Sequence, residues 1–147
     1  MKNLGNGLIL RCLEESDRES LLEHVKNVYE SSIIPSVSSL TNQFLDHYPD
    51  FSLRDNFVVV DTKQNSKVIA WLCLLRKTCV FEDVEISYGQ MDMVGTQKEY
   101  RNRGLIRQLS KVLEQRATEY DLPFLVVLGI PYYYKRLGYE YAILTRK

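Results

Sequence analysis

Three arginines, Arg101, Arg103 and Arg107, surround Gly104 in the stretch EYRNRGLIRQL (99–109), where a valine-containing strand pattern gives way to an apolar helical one. Cations are misplaced there. A helix N-terminus carries about half a positive charge, and each misplaced cation costs roughly 0.3–1 kcal/mol. The conflict disappears if an anion such as a phosphate rests on the exposed N–H groups of the first turn. Gly104, without a Cβ, permits a close approach of backbone to such an anion, and Arg101 and Arg103 can add charge-assisted hydrogen bonds. The plain alternative is a solvated helix end with an incidental glycine.

Other residues that could do chemistry are sparse. Cys12, Cys73 and Cys79 have no CxxC or His-paired spacing, so no metal site is expected. Their odd number suits reduced thiols in a cytoplasm, acting as small buried hydrophobes. His24 and His47 fall in early helical patterns as ordinary surface or packing residues. Nineteen basic and nineteen acidic side chains cancel, so no overall field draws the chain to nucleic acid or an acidic membrane. The longest apolar runs, 68–75 and 124–130, are far shorter than the roughly 20 residues of a membrane span. The N-terminal residues meet charge too soon for a signal peptide, and a cytoplasmic protein is expected.

The elements that must position Gly104 follow from periodicity. At 147 residues, 45% hydrophobic and 26% charged, the chain suits one domain with one core. A first strand is expected over 7–13, then a capping box at Ser16-Asp17-Arg18-Glu19 opening a helix with Leu21, Leu22, Val25, Val28 and Tyr29 on its apolar face. A serine-rich loop over 31–39 leads to a shorter helix before Pro49. Strands follow over 57–61 and 68–75, and a long one ends near Thr96. Leu105, Ile106, Leu109, Val112, Leu113 and Ala117 make 102–120 the clearest helix. The continuously apolar run 124–128 reads as a central strand, with a short helix over 131–137 and a last strand over 139–144. Strands mixed with helices on this plan argue for an α/β or α+β domain.

With these elements in place, the sequence resembles the GNAT superfamily of acetyl-CoA-dependent N-acyltransferases. The family signature is Arg or Gln, two residues, Gly, one residue, then Gly or Ala. Arg101-Asn102-Arg103-Gly104-Leu105-Ile106 matches all but the last position. Leu10-Arg11 with Ser16-Asp17, and Tyr134-Lys135-Arg136-Leu137-Gly138-Tyr139, are similar to other landmarks, so the likeness spans almost the whole chain. Within the superfamily, Gly129-Ile130-Pro131-Tyr132-Tyr133-Tyr134 and Gly138-Tyr139-Glu140-Tyr141 look most like the N-terminal module of larger proteins of the enhanced-intracellular-survival type. The resemblance implies an α/β (α+β) fold, a GNAT-like mixed and mostly antiparallel twisted sheet flanked by about four helices, as a single domain over 1–147. It also implies acetyl-CoA as co-substrate. Its diphosphate would lie on the amides of Asn102, Arg103, Gly104, Leu105 and Ile106, beside Arg101, and its pantetheine arm would pair with the main chain of Val94, Gly95 and Thr96 like an added strand. Ile106 is bulky and β-branched where a small residue is usual.

The resemblance further implies direct acetyl transfer without a covalent enzyme intermediate, and makes Tyr134 the general acid for the leaving thiolate. With a tyrosine pKa of about 10 and a thiol pKa of about 8.5, complete proton transfer is uphill by roughly 2 kcal/mol, within reach of a positioned acid. Read as residues alone, Tyr132, Tyr133 and Tyr134 suit rings packed in a turn equally well. Where many relatives have a carboxylate on the fourth strand, this chain has Gln90, which cannot accept a proton. Asp92, two residues on and on the same strand face, is the candidate base, with a structural hydrogen-bonding role as the alternative. Glu85 and Glu140 are less well placed.

The expected activity is acetyl transfer to a primary amine on a small molecule or protein. Acceptor specificity is expected in 16–48 and around 82–88. A non-catalytic acyl-CoA-binding module or sensor is the competing reading, supported by Gln90 and by the C-terminus. GNAT sheets usually finish with a hairpin, and here one strand pattern follows the tyrosine segment. Three options stay open: the last strand is absent, a partner chain supplies it as in a homodimer, or the sequence is the leading part of a longer protein.

Overall fold

The chain opens with a hairpin that its periodicity did not suggest. Asn6 and Gly7, at φ 55° and 86°, close a two-residue turn between β1 (Lys2–Gly5) and β2 (Leu8–Cys12) in the computed structural model, which describes residues 1–29, 37–49, 51–130 and 132–142. Asn-Gly is the standard signal for a turn with both central residues at positive φ, so the cue was present in the sequence.

The helix after β2 is capped two residues earlier than 16–19 suggests. A single 3-10 turn (Glu15–Asp17) precedes α1 (Arg18–Tyr29), and the capping box joins Glu14 to Asp17: Asp17 Oδ2 accepts from the Glu14 N–H at 2.9 Å, and the Glu14 side chain accepts from the Asp17 N–H. Asp17 prevails because its buried carboxylate also takes Arg11 Nη1 and Nη2 at 2.6 and 2.8 Å, pinning α1 to β2. The expected loop over 31–39 lies largely outside the described residues. Beyond it, α2 (Val37–His47) packs beside α1.

The remaining elements are β3 (Asn56–Asp61), β4 (Lys67–Phe81), β5 (Val84–Thr96), α3 (Leu105–Glu119) and β6 (Leu125–Val127). The six strands of the described residues lie in sequence order, antiparallel except for the parallel pair β5–β6. Every residue of β3 is buried, so it needs cover on both faces. Phe57 and Val59 join Leu109 and Leu113 of α3, whereas Val58 and Val60 join Leu21 and Val25 of α1 together with Trp71. The sheet is thus held between helices, as the mixed α/β expectation required.

Three expectations change. The run 124–128 is not central: only Leu125–Val127 forms strand, at the end of the described strand order, and Leu128 is 70% exposed. Continuous apolarity misled because the run outlasts the sheet it joins. The described residues hold three α-helices. The expected helix over 131–137 is a 3-10 turn (Tyr134–Leu137), stopped by Gly138 at φ 99°, and Pro131 lies outside the described residues. Of the last strand expected over 139–144, the described part is not strand, and the remainder lies outside the described residues.

One irregularity shapes the site. Trp71 pairs with Gly95 and Cys73 with Asp92, so Met93 and Val94 together face Leu72. This is a β-bulge, with Met93 at φ 54°. It bends β5 where the strand approaches α3.

Candidate active site

Gly104 stands at the N-cap of α3 with φ 70° and ψ 16°, a left-handed conformation that favours glycine. A Cβ there would meet nothing within 4 Å, so conformation rather than crowding selects glycine. Asn102 is also left-handed, at φ 62°. Gln108 N–H donates to the Gly104 carbonyl at 3.2 Å, leaving the preceding amides of the first turn without helical acceptors. Ile106, the departure from the family pattern, is only 8% exposed and packs in the core with Leu105. Its bulk points inward while its residue still borders the site.

Above this helix start lies a cleft of about 830 Å³. Val94, Gly95, Thr96, Arg101, Asn102, Arg103, Gly104, Leu105 and Ile106 all line it, as does Tyr134 across from them. Asp92 does not. Arg107 and Arg136 also line the cleft. The arginines are steadied by main chain: Arg101 Nε donates to the Thr96 carbonyl at 3.2 Å, Arg103 Nη2 to the Glu99 carbonyl at 3.0 Å and Arg107 Nη2 to the Arg136 carbonyl at 3.3 Å. None of these four forms an ion pair with a described carboxylate, unlike Arg11, Arg18, Arg76 and Arg116.

Tyr134 owes its place to Gly129. A Cβ on residue 129 would lie 1.9 Å from Tyr134 Cε2, so the absent side chain makes the slot for the ring. Tyr133 and Tyr139 pack edge-on at 5.1 and 6.2 Å. Burial raises the Tyr134 pKa above the ordinary tyrosine value, with Tyr133 and the Asp92 charge adding to the effect. The hydroxyl therefore stays protonated at neutral pH, at the expense of acid strength.

Gln90 and Asp92 of β5 hold each other. Gln90 Nε2 donates to Asp92 Oδ2 at 2.7 Å, and the Met93 N–H donates to Asp92 Oδ1 at 2.7 Å. The first contact places Gln90 and Asp92 on one face, and the second ties the carboxylate to the bulge. Glu85 lies on the outer hairpin, and Glu140 pairs with Lys135 at 3.2 Å.

Two contributors escaped the sequence reading. Tyr100 is buried, donates from Oη to Asp61 Oδ2 at 2.7 Å and accepts from Gln64 Nε2, while the Arg103 guanidinium stacks 4.9 Å above its ring. It anchors the loop before Gly104 to the end of β3. Nothing in the local pattern marked a partner 39 residues away. Tyr29 appeared only as one more apolar-face residue of α1. Its buried hydroxyl has no hydrogen-bond partner among the described residues and lies 2.7 Å from where a Gly95 Cβ would be. Burial raises its pKa, with Tyr134, Cys73 and Asp92 adding to the shift. Gly95 is thus the residue that lets α1 close on the bulged strand.

The geometry can be set beside known proteins. In solved structures the fold aligns with a GNAT family N-acetyltransferase (YhbS) from Escherichia coli in complex with CoA, with TM-score 0.72 and 19% identity over 95% of this chain and 72% of that one. It aligns with glucosamine-6-phosphate N-acetyltransferase from Arabidopsis thaliana at TM-score 0.69 and 14% identity, covering 95% and 96%. An acetyltransferase from Trypanosoma brucei gives TM-score 0.68 and 17% identity, covering 95% and 97%. No curated protein matches the sequence. No helix among the described residues is long and apolar enough to cross a membrane. The acetyltransferase (GNAT) domain family matches residues 10–142, which takes in the second half of β2, the bulged strand, the Gly104 helix and the Tyr134 turn, and the chain belongs to that family.

Proposed function

We propose that this domain transfers the acetyl group of acetyl-CoA to a primary amine by direct attack on the thioester. The observation that carries the reading is one cleft that joins an anion-ready helix start to a protonated, half-buried tyrosine. Acetyl-CoA would supply the activated acetyl thioester. The residues fit it: the open space over Gly104 admits a diphosphate to the amides of the first turn, and Arg101 and Arg103 have donors left for phosphate oxygens. Val94, Gly95 and Thr96 offer main chain along the cleft wall. Tyr134 holds a proton for the leaving sulfur. Asp92, fixed by Gln90 and the Met93 amide but with lone pairs remaining, is proposed to receive the proton of the attacking amine through water.

The test is calorimetric titration of the chain with acetyl-CoA, followed by thiol release measured across a panel of primary amines. Micromolar binding with amine-dependent thiol release supports the reading. The engagement of both Asp92 oxygens, together with Gln90, favours a second reading, a non-catalytic acyl-CoA-binding module. Binding without transfer to any amine would select it, and no binding by the folded chain would remove both.

A further inference from the structure

Arg107 and Arg136 lie outside the stretch that accounts for the diphosphate. They come from different elements, Arg107 from the first turn of α3 and Arg136 from the 3-10 turn that carries Tyr134. Both are exposed and both line the cleft. The bond from Arg107 Nη2 to the Arg136 carbonyl brings one guanidinium to the end of the other's turn. Their neighbour Lys135 is neutralised by Glu140 at 3.2 Å. Neither arginine has such a partner among the described residues, and the Arg136 guanidinium makes no hydrogen bond to any of them. Arg107 has used one of its five donors. Two guanidiniums without a carboxylate partner among the described residues line one cleft, one of them bonded to the other's main chain, and so can share an anion.

We propose that Arg107 and Arg136 form a second anion subsite, distinct from the Gly104 helix start, which takes the phosphomonoester on the ribose of coenzyme A and thereby draws the Tyr134 turn against α3. The proposal rests on the reading of the cleft as a coenzyme A site. Coenzyme A carries two separate phosphate groups, and the amides of one helix end serve the diphosphate alone. The phosphomonoester holds close to two negative charges at neutral pH, and side chains must meet it. Backbone donors at Gly104 cannot tell coenzyme A from its 3′-dephospho form, because both carry the diphosphate. Discrimination falls to Arg107 and Arg136. Arg136 also sits two residues after Tyr134 in a turn closed by the Gly138 N–H on the Lys135 carbonyl at 3.1 Å and the Tyr139 N–H on the Tyr134 carbonyl at 3.2 Å. An anion that fixes Arg136 therefore fixes the backbone that aims Tyr134.

The experiment compares calorimetric titrations with coenzyme A and with 3′-dephospho-coenzyme A, in the parent and in the Arg107→Gln/Arg136→Gln double variant, whose exposed positions leave the core intact. The parent is expected to bind coenzyme A at least about tenfold more tightly than the dephospho form, as charge-assisted contacts would provide. The double variant should bring the two within about twofold of each other while keeping its affinity for the dephospho form. Hydrogen exchange at the Gly138 and Tyr139 amides should be slower with coenzyme A than with the dephospho form in the parent, and equal in the double variant. Equal affinities in the parent would overturn the subsite and leave the cleft a coenzyme A site. A preference that survives in the double variant would overturn the assignment to these arginines. Binding of neither form by the folded parent would overturn the cofactor reading and the subsite with it.

Discussion

The helix start at Gly104 and the turn at Tyr134 face the same cleft, but one is made of main chain and the other of a single side chain. At Gly104 the conformation itself is the feature: φ 70°, amides without acceptors and an open approach. It is anchored on one side by the apolar stripe of α3 and on the other by the Tyr100 hydrogen bond to Asp61. At Tyr134 everything depends on where one ring lies. That ring rests on Gly129, between Tyr133 and Tyr139, in a turn whose neighbour Tyr132 is 76% exposed. A wall of amides tolerates side-chain change, as Ile106 demonstrates by turning inward. A wall proposed to act through one hydroxyl does not.

The largest expected effect follows from breaking the main-chain wall. Gly104→Glu places a carboxylate in the open space of the cleft and forces a residue with a Cβ into the left-handed region, at a cost of about 1–2 kcal/mol. Acetyl-CoA binding should fall by at least about a hundredfold, equivalent to about 2.7 kcal/mol, with an unchanged far-ultraviolet circular dichroism spectrum. Retained binding by this variant would mean that the anion lies elsewhere. The reverse pattern is expected across the cleft: Tyr134→Phe should lower turnover by more than about tenfold while acetyl-CoA affinity stays within about twofold, because the ring that packs on Gly129 is preserved. Gly129→Ala sharpens the point. Its new methyl would occupy the place of the Tyr134 ring, so turnover should fall with the tyrosine still present.

The difference between the walls also explains what the sequence revealed. Gly104 and its arginines were legible because a backbone that an anion approaches closely suits glycine, and because cations at a positive helix end need a reason; the left-handed φ of Gly104 emerged only in the fold. Strands β2 to β5 and α3 were legible from periodicity, and the first hairpin would have been, had Asn6-Gly7 been weighed as a turn. The slot for Tyr134 was not, since a contact between residue 129 and a ring five residues on has no periodic signature. Tyr100 with Asp61, and Tyr29 with Gly95, are meetings between distant segments that only the folded sheet brings about. The run 124–128 misled for the complementary reason, that apolarity reports a tendency to be buried and not the position in a sheet.

Comparing the two walls by activity requires a scaffold that does not itself titrate, and His24 titrates. It is fully buried in α1, and neither ring nitrogen has a hydrogen-bond partner among the described residues. Burial lowers its pKa to about 4, with Lys67 adding to the effect and the Val68 backbone opposing it. The unfolded chain takes up this proton near pH 6.5, the folded one only near 4. Falling pH therefore favours the unfolded state through that window. From pH 7 to pH 5 the loss should be about 2 kcal/mol, read from urea midpoints. His24→Leu should remove that part of the slope, and an unchanged slope would place the acid sensitivity in other groups. Activity profiles of site variants are then best read above pH 6.5.

The smallest effect tests whether the two walls are independent. Tyr100→Phe keeps the ring beneath Arg103 but removes the donor to Asp61 Oδ2 and the acceptor for Gln64. A lost hydrogen bond of this kind is worth about 0.5–1.5 kcal/mol. If the loop before Gly104 is positioned from β3 through this bond alone, acetyl-CoA affinity should weaken by roughly threefold to tenfold, with turnover at saturating cofactor unchanged. That outcome is the opposite of the one expected for Tyr134→Phe. A matching fall in saturated turnover would show that the loop reaches Tyr134, and the obvious route is the bond from Arg107 to the Arg136 carbonyl. The Tyr100 variant, repeated in the Arg107→Gln background, would then lose its effect on turnover and keep its effect on affinity.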